Sequence, residues 1–177
     1  MDAAPRVSYL AAMPPPILTI AAATTRADYV AASTILRAHA RWLEDVLGVA
    51  IVNRRPFWQS EIERPERYYA LPEGQLVVAR LDGDPVGVVG VRRDAGASAE
   101  LKRLFVVPAA RGAGLGHALV QAAVQAARTL RARRLWLETS TTVMPAAVGI
   151  YRRSGFNETG PRDDADLPGT IGMQLAL

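Results

Sequence analysis

The chain contains no cysteine, so disulfide frameworks and enzyme thiol chemistry are both excluded. It has a single lysine, Lys102, so the positive side of its +4 net charge is almost entirely arginine. Those arginines are scattered, apart from Arg128, Arg131, Arg133 and Arg134, and no basic stripe of the nucleic-acid-binding kind emerges. No apolar run approaches the roughly 20 residues that a membrane-spanning helix needs. The first residues lack the charged start and continuous apolar segment of a secretory signal. The expectations are therefore a cytoplasmic protein with no nucleic-acid partner and no membrane partner.

What is present fits an ordinary globular protein. Half of the 177 residues are hydrophobic and 21% are charged, enough for one domain with a real core. Residues 1–16 are Ala- and Pro-rich and read as a flexible leader, with Met13 an alternative start to Met1. Residues 17–177 read as a single domain.

Along that domain, residues 17–21 predict a short strand. Apolar residues at helical spacing predict a helix over 27–47, with Gly48 as its stop. Residues 49–71 predict a short helix and loops. Two Val-rich runs, 75–81 and 85–92, flank Asp82-Gly83-Asp84, a hairpin signal because Asp-Gly tolerates positive φ. A strand over 99–107 ends at Pro108. An amphipathic helix follows over 114–130, then a strand over 134–138, a helix over 145–154 and two terminal strands. This order predicts a mixed α/β fold, with a central sheet, antiparallel at first, and helices packed on it.

Chemistry concentrates where the third strand of the central run gives way to a helix. The loop carries Arg111, Gly112, Ala113, Gly114, Leu115, Gly116 and His117. Glycines let backbone N–H groups close around oxygens, and a helix N-terminus adds a favourable dipole. The segment is an anion site by composition. The Gly-Lys-Ser/Thr of a nucleotide-binding Walker loop is absent, and neither register of the glycines gives G-x-G-x-x-G.

The pattern Val106-x-Pro108-x-x-Arg111-Gly112-x-Gly114-x-Gly116-x-x-Leu119 resembles motif A of the GNAT acyltransferases. Downstream, Ala147-x-x-Ile150-Tyr151-x-x-x-Gly155-Phe156 resembles motif B of the same superfamily, and a strand separates the two as that family requires. The resemblance implies a GNAT-type fold in the order βααβββαβαββ, with helices on both sheet faces. It implies direct transfer of an acetyl group from acetyl-CoA to an amine-bearing small molecule or peptide in a ternary complex, without a metal. A homodimer is compatible with it. A coenzyme-binding sensor or structural module with little catalysis is the alternative.

The same resemblance distributes roles. The amides of Arg111 to His117 would hold the coenzyme pyrophosphate. The pantetheine would lie where a bulge splays two strands, pairing with backbone at Leu104, Phe105 and Val106, and a backbone N–H near Val106 would polarise the thioester carbonyl and steady the oxyanion. Tyr151 would protonate or hydrogen-bond the departing thiolate. Glu100 is the candidate general base, with Glu138 its rival, because an alkylamine is mostly protonated at neutral pH. Simple alternation would put Glu100, Lys102, Leu104 and Val106 on one face. An ion pair of Glu100 with Lys102 or Arg103 fits the same residues equally well.

Met144 departs from the family pattern, which carries Asn there. Pro145 and the hydroxyls of Thr141 and Thr142 are expected to rebuild that helix start. His39 and His117 read as a structural and a surface residue, and neither has the partners of a metal site. For the acceptor side the candidates are Trp42, Phe57, Trp58, Tyr68, Tyr69 and residues 162–166, including Asp163, Asp164 and Asp166.

Overall fold

The protein is described by a computed structural model covering residues 16–48, 56–162 and 167–177. The expected leader, the first part of the 49–71 segment and the Asp163, Asp164 and Asp166 cluster lie outside these residues.

The chain begins with β1 (Leu18–Ala22) and α1 (Arg26–Leu47). Thr25 caps α1: its Oγ1 accepts from the Asp28 amide at 3.2 Å, and the Asp28 carboxylate accepts from the Thr25 amide at 3.0 Å. Gly48, at φ 65°, ends the helix as its spacing predicted. Two short helices follow, α2 (Pro56–Glu63) and α3 (Glu66–Tyr69). Residues 56–71 thus carry two short helices where one helix with loops was expected.

The predicted hairpin is present as β2 (Gly74–Leu81) and β3 (Asp84–Asp94), with Asp82 and Gly83 both at positive φ. Next come β4 (Ser98–Val106), a single 3-10 turn at Pro108–Ala110 and α4 (Leu115–Thr129). The chain closes with β5 (Arg134–Ser140), α5 (Pro145–Arg153), β6 (Asn157–Thr159) and β7 (Thr170–Ala176).

The seven strands form one sheet in the order β1-β2-β3-β4-β5-β7-β6. Every neighbouring pair is antiparallel except β4 and β5. Helices cover both faces. On one, Leu119, Val120, Ala123 and Ala127 of α4 pack with Val89, Val91, Leu101 and Leu137 of the sheet. On the other, Ile35, Leu36 and Leu43 of α1, with Trp58 and Ile62 of α2, pack on Leu76, Val78, Val88 and Phe105.

Two features of β4 set the geometry that follows. Its parallel pairing with β5 ends at Glu100↔Trp136, although both strands run on for several residues. Opposite β3, the register slips between Val88↔Phe105 and Gly90↔Lys102, so β4 carries one extra residue there. Arg103 sits at that bulge with φ 61°, a conformation that costs a side-chain-bearing residue roughly 1–2 kcal/mol.

That cost is offset by what the Arg103 side chain reaches. Its guanidinium lies 3.9 Å from the Trp58 ring centroid and donates to Glu61, which also accepts from the buried Tyr69 hydroxyl. Gly90 on β3 makes room for this assembly, since a Cβ there would stand 2.4 Å from the Tyr69 ring. The bulge overturns simple alternation. Ala99 and Leu101 belong to the α4-side core, and Leu104 and Val106 pack against it. Glu100 and Lys102 alternate with Ala99 and Leu101, so they point to the opposite face from Leu104 and Val106.

Burial alone would raise the Glu61 carboxyl, but the hydrogen bond and charge of Arg103, with the Tyr69 hydroxyl, hold it below the usual range. Arg103→Met strips that buried carboxylate of its cation and is expected to cost about 3 kcal/mol, lowering Tm by roughly 10 °C. A depressed native value means that native Glu61 binds fewer protons than unfolded Glu61. Its stabilisation is therefore complete above the ordinary carboxyl range and fades as pH falls through the native value. Urea unfolding of wild type and Glu61→Gln should show a stability gap that is constant near pH 7 and shrinks below about pH 4.

Candidate active site

The glycine loop takes the shape its composition suggested, but its glycines differ in purpose. Gly112 and Gly114 have φ of 90° and 77°, and a Cβ at either would meet nothing within 4 Å. They are needed for backbone conformation. Gly116 lies inside α4 without positive φ, and a Cβ there would come within 2.7 Å of Ile150 Cδ1 on α5. Its smallness serves the approach of the two helices.

The loop opens onto a cavity of about 540 Å³, within the range of small-molecule and cofactor sites. Leu104, Phe105, Val106, Arg111, Gly112, Gly114, Leu115, Gly116 and His117 all line it, so nine of the ten residues expected to bind coenzyme share one space. Ala113 is not among the lining residues. Arg111 is exposed, but its side chain folds back across the cavity mouth. Its Nε donates to the Val106 carbonyl at 3.0 Å, and its guanidinium carbon lies 5.3 Å from the Trp42 ring and 5.5 Å from that of Phe105. His117 Nδ1 is 3.3 Å from Ser154 Oγ.

A second cavity of about 150 Å³ adjoins the first where β4 and β5 part. Tyr151, Glu100 and Glu138 all line it, together with Lys102, Arg103 and Thr139. Tyr151 is 4% exposed and packs against Phe156 with the rings tilted by 57° and their centroids 5.6 Å apart. Burial pushes its hydroxyl above the usual phenol range, so it keeps its proton. The carboxylate of Glu100 bridges two cations, Arg92 at 2.9 Å and Lys102 at 2.6 Å. The ion pair is thus the observed state of Glu100, and Arg103 pairs elsewhere. Glu138 accepts from the Arg162 backbone amide at 2.6 Å.

The start of α5 is built differently from expectation. Ser140 Oγ accepts from the Val143 amide at 2.9 Å, whereas Thr141 Oγ1 donates to the Gly169 carbonyl at 3.0 Å, away from the helix. Met144 occupies the N-cap position without a side-chain bond and lines both cavities.

The proposed acceptor aromatics divide. Trp42 lines the larger cavity and Trp58 the smaller. Tyr69 is buried under β3, the Tyr68 hydroxyl donates to Ser60 Oγ at 2.9 Å, and Phe57 is 74% exposed. His39 lines both cavities. Its ring stacks on Phe105 at 4.8 Å, and burial, aided by the charges of Arg103 and Arg111, lowers it to about 3. Nothing around His39 in the sequence sets it apart from a packed helix residue. Among the described residues, no group of His, Asp and Glu side chains is arranged to hold a metal ion. None of the described helices is long and apolar enough to cross a membrane.

Comparison with known proteins gives this geometry a lineage. An uncharacterized N-acetyltransferase of Schizosaccharomyces pombe is 35% identical over 120 residues, spanning 67% of this chain and 73% of that protein. Four further curated relatives are matched over 37% to 60% of their own lengths. Among solved structures, an acetyltransferase from Streptococcus agalactiae superposes with a TM-score of 0.70 at 23% identity, covering 90% of this chain and 98% of that one. The yncA protein of Salmonella typhimurium, solved with its cofactor acetyl-CoA, superposes with a TM-score of 0.60 at 21% identity, over 90% and 93% of the two chains. The model of the acetyltransferase (GNAT) family matches residues 38–156, which run from α1 through the glycine loop to the end of α5, and the chain belongs to that family.

Proposed function

We propose that the protein transfers an acetyl group from acetyl-CoA to a primary amine, with both substrates bound at once. The observation that carries this reading is the meeting of two cavities at the parting of β4 and β5. One cavity holds an anion-binding glycine loop, and the other holds a buried, protonated tyrosine.

In this reading, loop amides at the start of α4 hold the coenzyme pyrophosphate. The pantetheine runs along β4 and pairs with backbone near Val106, as an added strand would. Arg111 occupies that path and must release the Val106 carbonyl for the pairing to form. The amine enters the smaller cavity. Its lone pair attacks the thioester carbon, the C–S bond breaks, and the sulfur leaves as thiolate. Tyr151 supplies a hydrogen bond or proton to that sulfur, a role that suits a phenol kept neutral by burial. Glu100, held between Arg92 and Lys102, fits an electrostatic part better than that of a free base. The amine proton then passes through water toward Glu138, the other carboxylate lining the smaller cavity.

Thiol release across a panel of amino acids, polyamines, aminoglycosides and N-terminal peptides tests the reading directly. Binding of acetyl-CoA with no release on any amine would support a sensor or structural module instead. Tyr151→Phe is expected to lower kcat roughly tenfold or more while acetyl-CoA binding survives. Unchanged turnover would remove Tyr151 from the mechanism. Gly114→Ala forces a side chain onto a φ of 77° and should raise the acetyl-CoA Kd about tenfold, measured by calorimetry, with the far-UV CD spectrum unchanged.

A further inference from the structure

Four described residues line both cavities: His39, Leu104, Met144 and Ala147. If thioester and amine come from opposite sides, their reacting atoms meet at this shared wall. Leu104 and Ala147 have no polar side-chain atom, and the Met144 thioether is at best a weak acceptor. His39 is the one member of the four whose side chain can donate a hydrogen bond.

The imidazole is held for such a role. It is clamped by Phe105 at 4.8 Å, Trp58 at 5.4 Å and Trp42 at 6.3 Å between ring centroids. Its Nδ1 is enclosed without a partner, and the residue lines both cavities, so Nε2 is the ring nitrogen left to serve a ligand. The charges of Arg103 and Arg111 act on it, and that positive field favours any ligand atom that gains negative charge beside the ring.

We propose that His39, as a neutral imidazole, donates its Nε2 proton in a hydrogen bond to the thioester carbonyl oxygen and holds the oxyanion of the tetrahedral adduct. When the amine lone pair adds to the carbonyl carbon, the C=O π pair moves onto oxygen. It returns to reform the carbonyl as the C–S bond breaks. His39 keeps its proton throughout and transfers nothing. The burial that keeps the ring uncharged fits a donor and disfavours a base.

The proposal rests on acetyl-CoA filling the larger cavity, and the test separates the two. Acetyl-CoA labelled with carbon-13 at the thioester carbonyl is bound to wild type, His39→Phe and His39→Gln, and its carbonyl stretch is followed by difference infrared spectroscopy. Phe preserves the aromatic stack without a donor, and Gln restores an N–H at similar reach. The stretch should fall on binding to wild type, return toward its solution value in His39→Phe and fall again in His39→Gln. Thiol release should drop roughly a hundredfold in His39→Phe with the acetyl-CoA Kd within about threefold of wild type. A stretch and a turnover in His39→Phe equal to wild type would overturn the proposal. Failure of wild type to bind acetyl-CoA would overturn the coenzyme reading, and this one with it. In the unmutated protein, the His39 N–H proton resonance should move downfield when acetyl-CoA binds; an unmoved resonance overturns the proposal without any variant.

Discussion

The site depends on the one extra residue in β4. A regular strand would continue its parallel ladder with β5, and the sheet would be closed where the two cavities now meet. The bulge turns β4 away after Glu100 and leaves both strands with unpaired edges facing each other. An opening of this kind inside a sheet is expensive, because unpaired backbone groups must find ligand or water. It persists because Arg103, strained in its backbone, is fixed through its side chain to Glu61 and Trp58. The core of the α1 face thus maintains a gap that the sheet alone would close.

The same arginine links stability to electrostatics. Arg103 neutralises a buried carboxylate on one side and contributes to the field at His39 on the other. Arg111 adds to that field from the glycine loop. The pocket wall is therefore aromatic in surface with two arginine charges acting on it, a setting that favours a ligand atom carrying negative charge.

Much of the fold was legible in the sequence. The Asp82-Gly83 turn, the helix stop at Gly48 and the amphipathic face of α4 are local signals, and each appears where its chemistry placed it. The glycine loop was legible for the same reason. What escaped was decided by contacts between distant residues. Alternation along β4 fails at Arg103 because Glu61 lies 42 positions earlier, and no local pattern announces that pairing. At the α5 start the neighbouring threonines are the local candidates, yet Thr141 is drawn to Gly169 across the chain and Ser140 takes over. His39 looks like any buried helix residue until the two cavities are seen to share it.

The folded-back position of Arg111 has a mechanical consequence. Apolar rings at a cavity mouth are favoured when a long charged side chain lays its stem and planar head across them. Here the guanidinium covers the Trp42 and Phe105 rings, themselves in contact at 5.9 Å between centroids, while its Nε donates to the Val106 carbonyl. Exchanging it for an incoming ligand trades one set of contacts for another instead of cutting a new cleft. One side chain thus shields two aromatic rings and engages the carbonyl at the end of β4.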